Sequence, residues 1–565
     1  MRLRSFFSNW RRILVVIGAI FMVVVVCSVA LFLWAINKYD DKEGVISSFK
    51  SDRSLILHRT SPGGISYTIN NAYATFSLDV ARQDKNCDRL FPNYAAALKF
   101  AKDAQLPSIP SVQLIHGKCK QFDDDLCATL EQVMETGSGH LPGKSQTLQH
   151  LLQKLIDARN TAPQQARPPI EEAILHVATA VTLGGGNVAL DPALTAKLNA
   201  RKADFLQKPV QADPIGFWTE NDTLRRTFMQ DRYLMEGIPL DEDAAVCIAL
   251  ARVISDDPEL SRAFDLYRAV DSRLTNPPVF IRQDVYLARP ARALSFREVA
   301  AVLPQGVSLP DLLTPANVQQ THTKLADSFG KDAGLLLISY SRSPEYGLLL
   351  DAISKGQLTG QNASLDLIID AIRSGRLSLK PVPGSGWYDY QWYALETLLR
   401  PETAAEAPKL VLTDAYKKRL EEAFKSSVAK NRETHIKQLP SIMQGMSEVV
   451  PAPRVEIHPE FSAEPTITVY LRTARAYQFL HTALTAVLGS ETLNSLRRTS
   501  PGNSPALDLG DELNRMSLLC YGIHNIVSTE LGLLPSYLPD ELSPAELREA
   551  RQIASQWLTN AASAT

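Results

Sequence analysis

Aromatic residues make up only 7 % of this 565-residue chain, cysteine occurs six times, and neither sign of charge dominates, with 59 Lys+Arg against 61 Asp+Glu. Each scarcity removes a class of protein. Six cysteines in this length cannot build a disulfide scaffold. Balanced charge leaves no basic stripe to neutralise nucleic-acid phosphates, so no nucleic-acid partner is expected. An apolar content of 45 % argues against a disordered polyelectrolyte. Complete catalytic or metal motifs are missing too: the chain has no H-E-x-x-H, no G-x-S-x-G nucleophile elbow and no C-x-x-C. No metal and no cofactor is expected from the sequence.

One local feature stands out against this ordinary background. From Ile13 to Ala35 the chain runs without a charge, and at about 1.5 Å per helical residue that stretch spans a hydrocarbon layer of about 30 Å. Arg2, Arg4, Arg11 and Arg12 precede it with no acid among them. The positive-inside rule therefore places the N-terminus in the cytoplasm and everything after Asn37 outside. A cleaved signal peptide would have a shorter apolar region ending in an A-x-A-like site. Cys27 follows Val26 rather than the small residue that lipoprotein processing requires. The reading is an uncleaved signal-anchor of an inner (plasma) membrane, single-pass, with the bulk of the chain periplasmic or extracellular; Trp10 and Trp34 flank it as interfacial anchors. Taking the four leading arginines from the 59 bases leaves 55 against 61 acids, so the exported part carries about −6.

The exported part reads as mostly α. Two β-branched runs, 54–60 and 65–69, flank the turn Ser61-Pro-Gly-Gly64 and suggest a small juxtamembrane β-hairpin. Beyond it, a capping residue followed by proline recurs at Asp191-Pro192, Asp257-Pro258, Thr314-Pro315, Ser343-Pro344 and Ser543-Pro544. The side chain satisfies an orphan amide, and proline has no N–H to waste in the first turn. Glu546 stands where it would close a capping box with Ser543. Pro-rich stretches at 160–169, 381–386 and 449–453 divide the chain into a leader (1–12), the membrane helix (13–35), a juxtamembrane region (36–160), a helical domain (161–380), an aromatic-rich helical segment (381–450) and a C-terminal helical segment (451–565). A short echo links 348–358 to 367–377, each copy a helix ended by glycine at Gly356 or Gly375.

Among the cysteines, Cys247 and Cys520 sit in apolar helical runs and read as buried small hydrophobes. Cys87, Cys119 and Cys127 lie close together on the oxidising side and are disulfide candidates. Cys119 with Cys127 is the favoured pair, closing a short polar loop, with Cys87 and Cys119 close behind.

Several segments imitate functional motifs. Gly137-Ser-Gly-His-Leu-Pro-Gly143-Lys144-Ser145 has the wrong spacing for a phosphate-binding loop and follows a helix rather than a strand; Ser145 reads instead as the cap of a helix over 146–158. Gly184-Gly-Gly186 reads as a helix exit. Glu433 and His435 cannot share an ion from one helix, because i,i+2 side chains diverge, and His458 with Glu460 is as weak. Two ligand-binding candidates remain. Trp387, Tyr388, Tyr390, Trp392 and Tyr393 open a helix and could stack on a ligand or partner, although one face of that helix must be core. The helix over 469–488 carries Tyr477 and His481 beside Arg472 and Arg475, a set able to hold an anion. The expected function is a membrane-anchored binding or scaffolding protein of the cell envelope, with a protein partner or a small-molecule ligand. The alternative is a membrane-tethered hydrolase with its site near 387–393, its catalytic residues unspecified, so enzyme or not is left open.

Overall fold

The computed structural model describes residues 112–139, 141–208, 212–214, 216–219, 221–274, 279–280, 291–338, 365–409, 412, 414–434, 460–462, 466–497, 507–530, 533–538 and 540–563, together with four short strands between 58 and 91. The membrane segment 13–35, the helix start at Ser343-Pro344, the first copy of the echo, Cys27, Cys87, His435 and His458 lie outside these residues. Among the described helices none is long and apolar enough to cross a membrane.

The described chain is mostly helical. Strands β1 (His58–Ser61) and β2 (Gly64–Ser66) pair antiparallel, forming the hairpin that the turn residues suggested. β3 (Tyr73–Thr75) lies between β4 (Leu90–Phe91), antiparallel, and the distant β9 (Glu460–Ser462), parallel. A third small sheet has the order β5-β8-β7-β6, from Ile238–Pro239, Gly334–Leu335, Ala291–Leu294 and Val279–Phe280.

The helical body begins with α1 (Val112–Thr136), α2 (Lys144–Thr161), α3 (Arg167–Leu183), α4 (Pro192–Leu206), α5 (Asp222–Leu234), α6 (Leu240–Asp256) and α7 (Pro258–Leu274). After α8 (Phe296–Ala301), α9 (Leu309–Leu312), α10 (Pro315–Phe329) and α11 (Leu365–Arg373) come α12 (Trp387–Leu399), α13 (Asp414–Thr434), α14 (Ile467–Leu488), α15 (Ser490–Ser495), α16 (Leu509–Glu530) and α17 (Pro544–Ser563). The earlier helices gather around α3 and α6, while α12, α14, α16 and α17 pack in series; α1 touches both groups, through α2 and α5 on one side and α13 on the other. One contiguous set of buried apolar side chains runs from Val112 to Trp557.

Local chemistry explains the helix starts. Asp191 accepts from Leu194 N–H at 3.0 Å, Asp257 from Leu260 N–H at 3.1 Å, and Ser543 with Glu546 forms the capping box expected for α17. Thr314 precedes α10 at its cap position without a side-chain bond to a helix amide; its hydroxyl donates instead to the Asp311 carbonyl at 2.9 Å. Gly375, at φ +72°, follows the helix of the echo's second copy in the left-handed conformation expected of it. Gly184 caps α3 and Gly185 follows at φ +87°. Ser145 requires a correction: α2 starts one residue before it, at Lys144, with Gly143 at the cap position and no side-chain cap. α3 is buried almost all round, because Ala173, Ala178 and Ala180 let neighbouring helices approach while Ile174, Leu175 and Val177 fill between them.

Candidate functional site

The two segments singled out from sequence meet in space, since α12 packs along α14. Trp387, Tyr388 and Trp392 point into the core, and Trp392 meets Phe424 of α13 edge-on at 5.7 Å. Tyr390 and Tyr393 are half-buried: Tyr390 stacks on Phe479 at 4.1 Å, and Tyr393 lies 3.7 Å beneath the Arg472 guanidinium. That guanidinium also donates to the Tyr393 carbonyl at 2.8 Å and to Glu396 at 3.0 Å. Arg475 turns away from this contact and holds Glu541 by a two-pronged pair at 2.5 and 2.9 Å. His481 is half-buried near Asp511 and Asp508; burial lowers its affinity for a proton and the two acids partly restore it. The helix end bearing Glu433 belongs to α13.

At the centre of the α12–α14 contact is a buried polar group that composition alone gave no reason to expect. Tyr477 Oη donates to Asp123 Oδ1 at 2.7 Å, and Gln391 Nε2 donates to Asp123 Oδ2 at 2.9 Å. Asp123 is itself on α1 and fully buried, and burial, reinforced by Cys119, holds its carboxyl well above the usual range. Tyr477 is pushed up in turn by burial and by Asp123. Beside them, Cys119 of α1 and Cys520 of α16 are both buried; interaction with Cys520 lowers the Cys119 thiol against the opposing effect of burial, and interaction with Cys119 together with burial raises Cys520. A cavity of about 30 Å³ bordered by Cys119, Asp123, Trp387, Gln391 and Tyr477 has room for a water or two, not for an organic ligand.

The cysteine geometry corrects the pairing favoured from sequence. The segment joining Cys119 to Cys127 is not a polar loop but part of α1, and eight residues of helix separate them by about 12 Å, beyond the Cα spacing a disulfide tolerates. Both thiols are free. The stripe Ile115, Cys119, Phe122, Leu126, Leu130 and Met134, all buried, is the helical signal that the acidic run Asp123–Asp125 obscures.

A second buried group joins α1, α2 and α5. Lys144 Nζ, within the false phosphate-loop motif, lies 2.5 Å from Asp231 and 3.5 Å from Glu131. Glu135 beside them accepts from Gln230 at 2.8 Å, and burial raises its carboxyl to about 7. Tyr267 shares a bond with Thr147 and donates to the Pro142 carbonyl at 2.7 Å, closing the loop that precedes Lys144. Among the described residues no three His, Cys, Asp or Glu side chains are placed to hold a metal ion.

An open concavity of the helical body lies elsewhere. A groove of about 820 Å³ runs between α7 and the C-terminal end of α14, with Leu141, Leu266, Ala269 and Val487 in its lining and Arg262 and Arg297 among its polar groups. Arg297 of α8 is paired with Asp265 of α7 at 2.5 Å, while Arg262 is exposed. No protein family, curated protein or solved structure matches this chain, so its geometry is the only guide to its role.

Proposed function

We propose that this chain is a single-pass membrane protein whose helical body, outside the cytoplasm, binds and positions a partner protein of the cell envelope. The anchor is the uncharged run Ile13–Ala35, oriented by the four arginines ahead of it. The observation that carries the binding role is the groove between α7 and α14. Its volume of about 820 Å³ falls within the range of ligand clefts. An apolar lining set with arginines suits an amphipathic segment of a partner bearing an acidic residue opposite Arg262. The aromatic segment that a hydrolase would use as its platform is instead engaged in packing: Trp387, Tyr388 and Trp392 are buried, and Tyr390 and Tyr393 are stacked on Phe479 and Arg472.

The test is photo-crosslinking in intact membranes, with a photoreactive residue at Leu266 or Val487 and, as a control, at exposed Lys324 on α10. A discrete adduct from both groove positions, absent from the control and weakened at least tenfold by Arg262→Glu, is expected. Equal or absent crosslinking at all three positions would remove the groove from the account.

A further inference from the structure

We propose that the groove between α7 and α14 receives the segment 533–538 of a second copy of this chain, with Asp540 of that copy set against Arg262. The inference rests on the reading of the groove as a protein-binding site and names the protein that fills it.

The segment joins α16 to α17 and is neither helix nor strand. Exposure alternates along it: Leu533, Pro535 and Tyr537 are half-buried, while Leu534, Ser536 and Leu538 face solvent. Leu534 is 90 % and Leu538 57 % exposed. The other exposed large apolar side chains among the described residues, Leu206 and Val382, stand singly on separate parts of the fold. A lone exposed apolar residue needs no explanation, whereas two leucines on one short segment form a patch that a partner can cover.

The segment is also held in place. Leu533 N–H donates to the Ser528 carbonyl at 2.8 Å, Ser536 N–H to His524 Nε2 at 3.1 Å, and Leu538 N–H to Glu541 Oε2 at 2.8 Å. His524 donates from Nδ1 to the Ile467 carbonyl at 2.9 Å; a carbonyl can only accept, which leaves Nε2 as the acceptor that Ser536 uses. Tyr537 accepts from Asn525 Nδ2 at 3.2 Å and meets the Tyr521 ring edge-on at 6.4 Å. The outward leucines are therefore positioned before any partner arrives, and little ordering entropy opposes docking.

The groove offers the complementary surface. Leu141, Leu266, Ala269 and Val487 are apolar, Arg297 is taken by Asp265, and exposed Arg262 has no ion pair among the described residues. On the segment's side Asp540 is exposed and has no ion pair among the described residues either, since Arg475 is held by its neighbour Glu541. Two apolar side chains followed by one acid thus match an apolar lining beside one cation. A single chain cannot make this contact. The segment is tied beside Ile467 and, through Glu541, beside Arg475, whereas the groove is lined by Ala486, Val487 and Leu488, about 16 Å further along α14 than Arg475. The contact is head-to-tail, with a groove and a segment left over at the two ends of every pair, so it repeats until a ring closes or a chain runs on.

The experiment produces two full-length copies together in intact membranes, one with a photoreactive residue at Val487 and the other with a different tag and no photoreactive residue. After illumination the second tag is used to retrieve adducts, which are digested and mapped by mass spectrometry. The expected adduct joins Val487 of one copy to the peptide of the other that contains Leu534 and Leu538. Leu534→Glu/Leu538→Glu should lower its yield at least about tenfold, and an unchanged circular-dichroism unfolding midpoint should show that these exposed positions leave the fold intact. Arg262→Glu and Asp540→Arg should each lower the yield about tenfold, and the two together should restore it. A Val487 adduct to a different protein would keep the groove as a binding site and overturn self-docking. No adduct of any kind from Val487 or Leu266 would remove the groove reading and self-docking together. A yield between copies that survives Leu534→Glu/Leu538→Glu, or that the charge swap fails to restore, would overturn the proposed contact.

Discussion

Replacing Lys144 by methionine tests whether the helical body is held by an internal ion pair rather than by apolar packing alone. The Lys144 and Asp231 side chains are 1 % and 0 % exposed and 2.5 Å apart, and Glu131 stands 3.5 Å from the same ammonium. Methionine keeps most of the lysine stem, so little cavity is created. What is lost is the compensation of two acids in a medium that cannot solvate them, and removing one partner of a buried pair costs about 3–5 kcal/mol. The assay is urea unfolding of the full-length chain in detergent, followed by far-ultraviolet circular dichroism. Lys144→Met should lower stability by about that amount. Lys144→Met combined with Asp231→Leu should recover most of it, because an apolar pair of similar volume needs no counter-charge. A single variant within about 1 kcal/mol of the parent, or a double variant as unstable as the single one, would refute the reasoning.

Other consequences follow from neighbouring parts of the core. Trp387→Ala should cost about 3–5 kcal/mol in the same assay, since its ring is wholly buried against Tyr388 and Tyr477; an unchanged midpoint would show that the aromatic segment is not core. Gly522→Ala should destabilise the contact between α16 and α17, because its new methyl would stand 2.0 Å from the Ala550 carbonyl oxygen, and thermal unfolding would show the loss. Acid should weaken the fold through two buried histidines, His176 held to about 3 and His524 to about 4, each mainly by burial. Each is neutral when folded and takes up its proton more readily when unfolded, so its contribution is complete above about pH 6.5 and is lost as pH falls toward the folded value, by about 1.4 kcal/mol per pH unit and group. Glu135 has the opposite sign: its carboxyl is raised to about 7, so its contribution is present below about pH 4.5 and is lost as pH rises through 7. Glu135→Gln should therefore stabilise the protein at pH 8 relative to the parent more than at pH 5, and equal effects at both would contradict the assignment.

Local signals carried the helix boundaries well, because a cap depends on residues within one turn. Asp191, Asp257 and Ser543 bond the amides expected of them, and Gly375 adopts the expected left-handed conformation. Ser145 failed for a related reason: Gly143 and Lys144 offered the chain an earlier start, and tertiary bonding of Lys144 to Asp231 favours a helix that includes it. The adjacency of the aromatic run to the 469–488 helix was not legible, because it depends on α12 and α14 packing across a long separation in sequence. The acidic triplet was placed in a short polar loop between Cys119 and Cys127, whereas it lies on α1, with Asp123 turned inward to Tyr477 and Gln391 while Asp124 bonds Lys120.

Location is the premise on which the partner-binding role depends. The most direct measurement is therefore a pair of fusions after Thr565, one to a phosphatase that is active only outside the cytoplasm and one to a fluorescent protein that matures only inside, each made with and without reversal of Arg2, Arg4, Arg11 and Arg12 to glutamate. The account predicts phosphatase activity and no fluorescence for the native leader, with the reversed leader losing phosphatase activity. Fluorescence with no phosphatase activity from the native leader would place the body in the cytoplasm and contradict it.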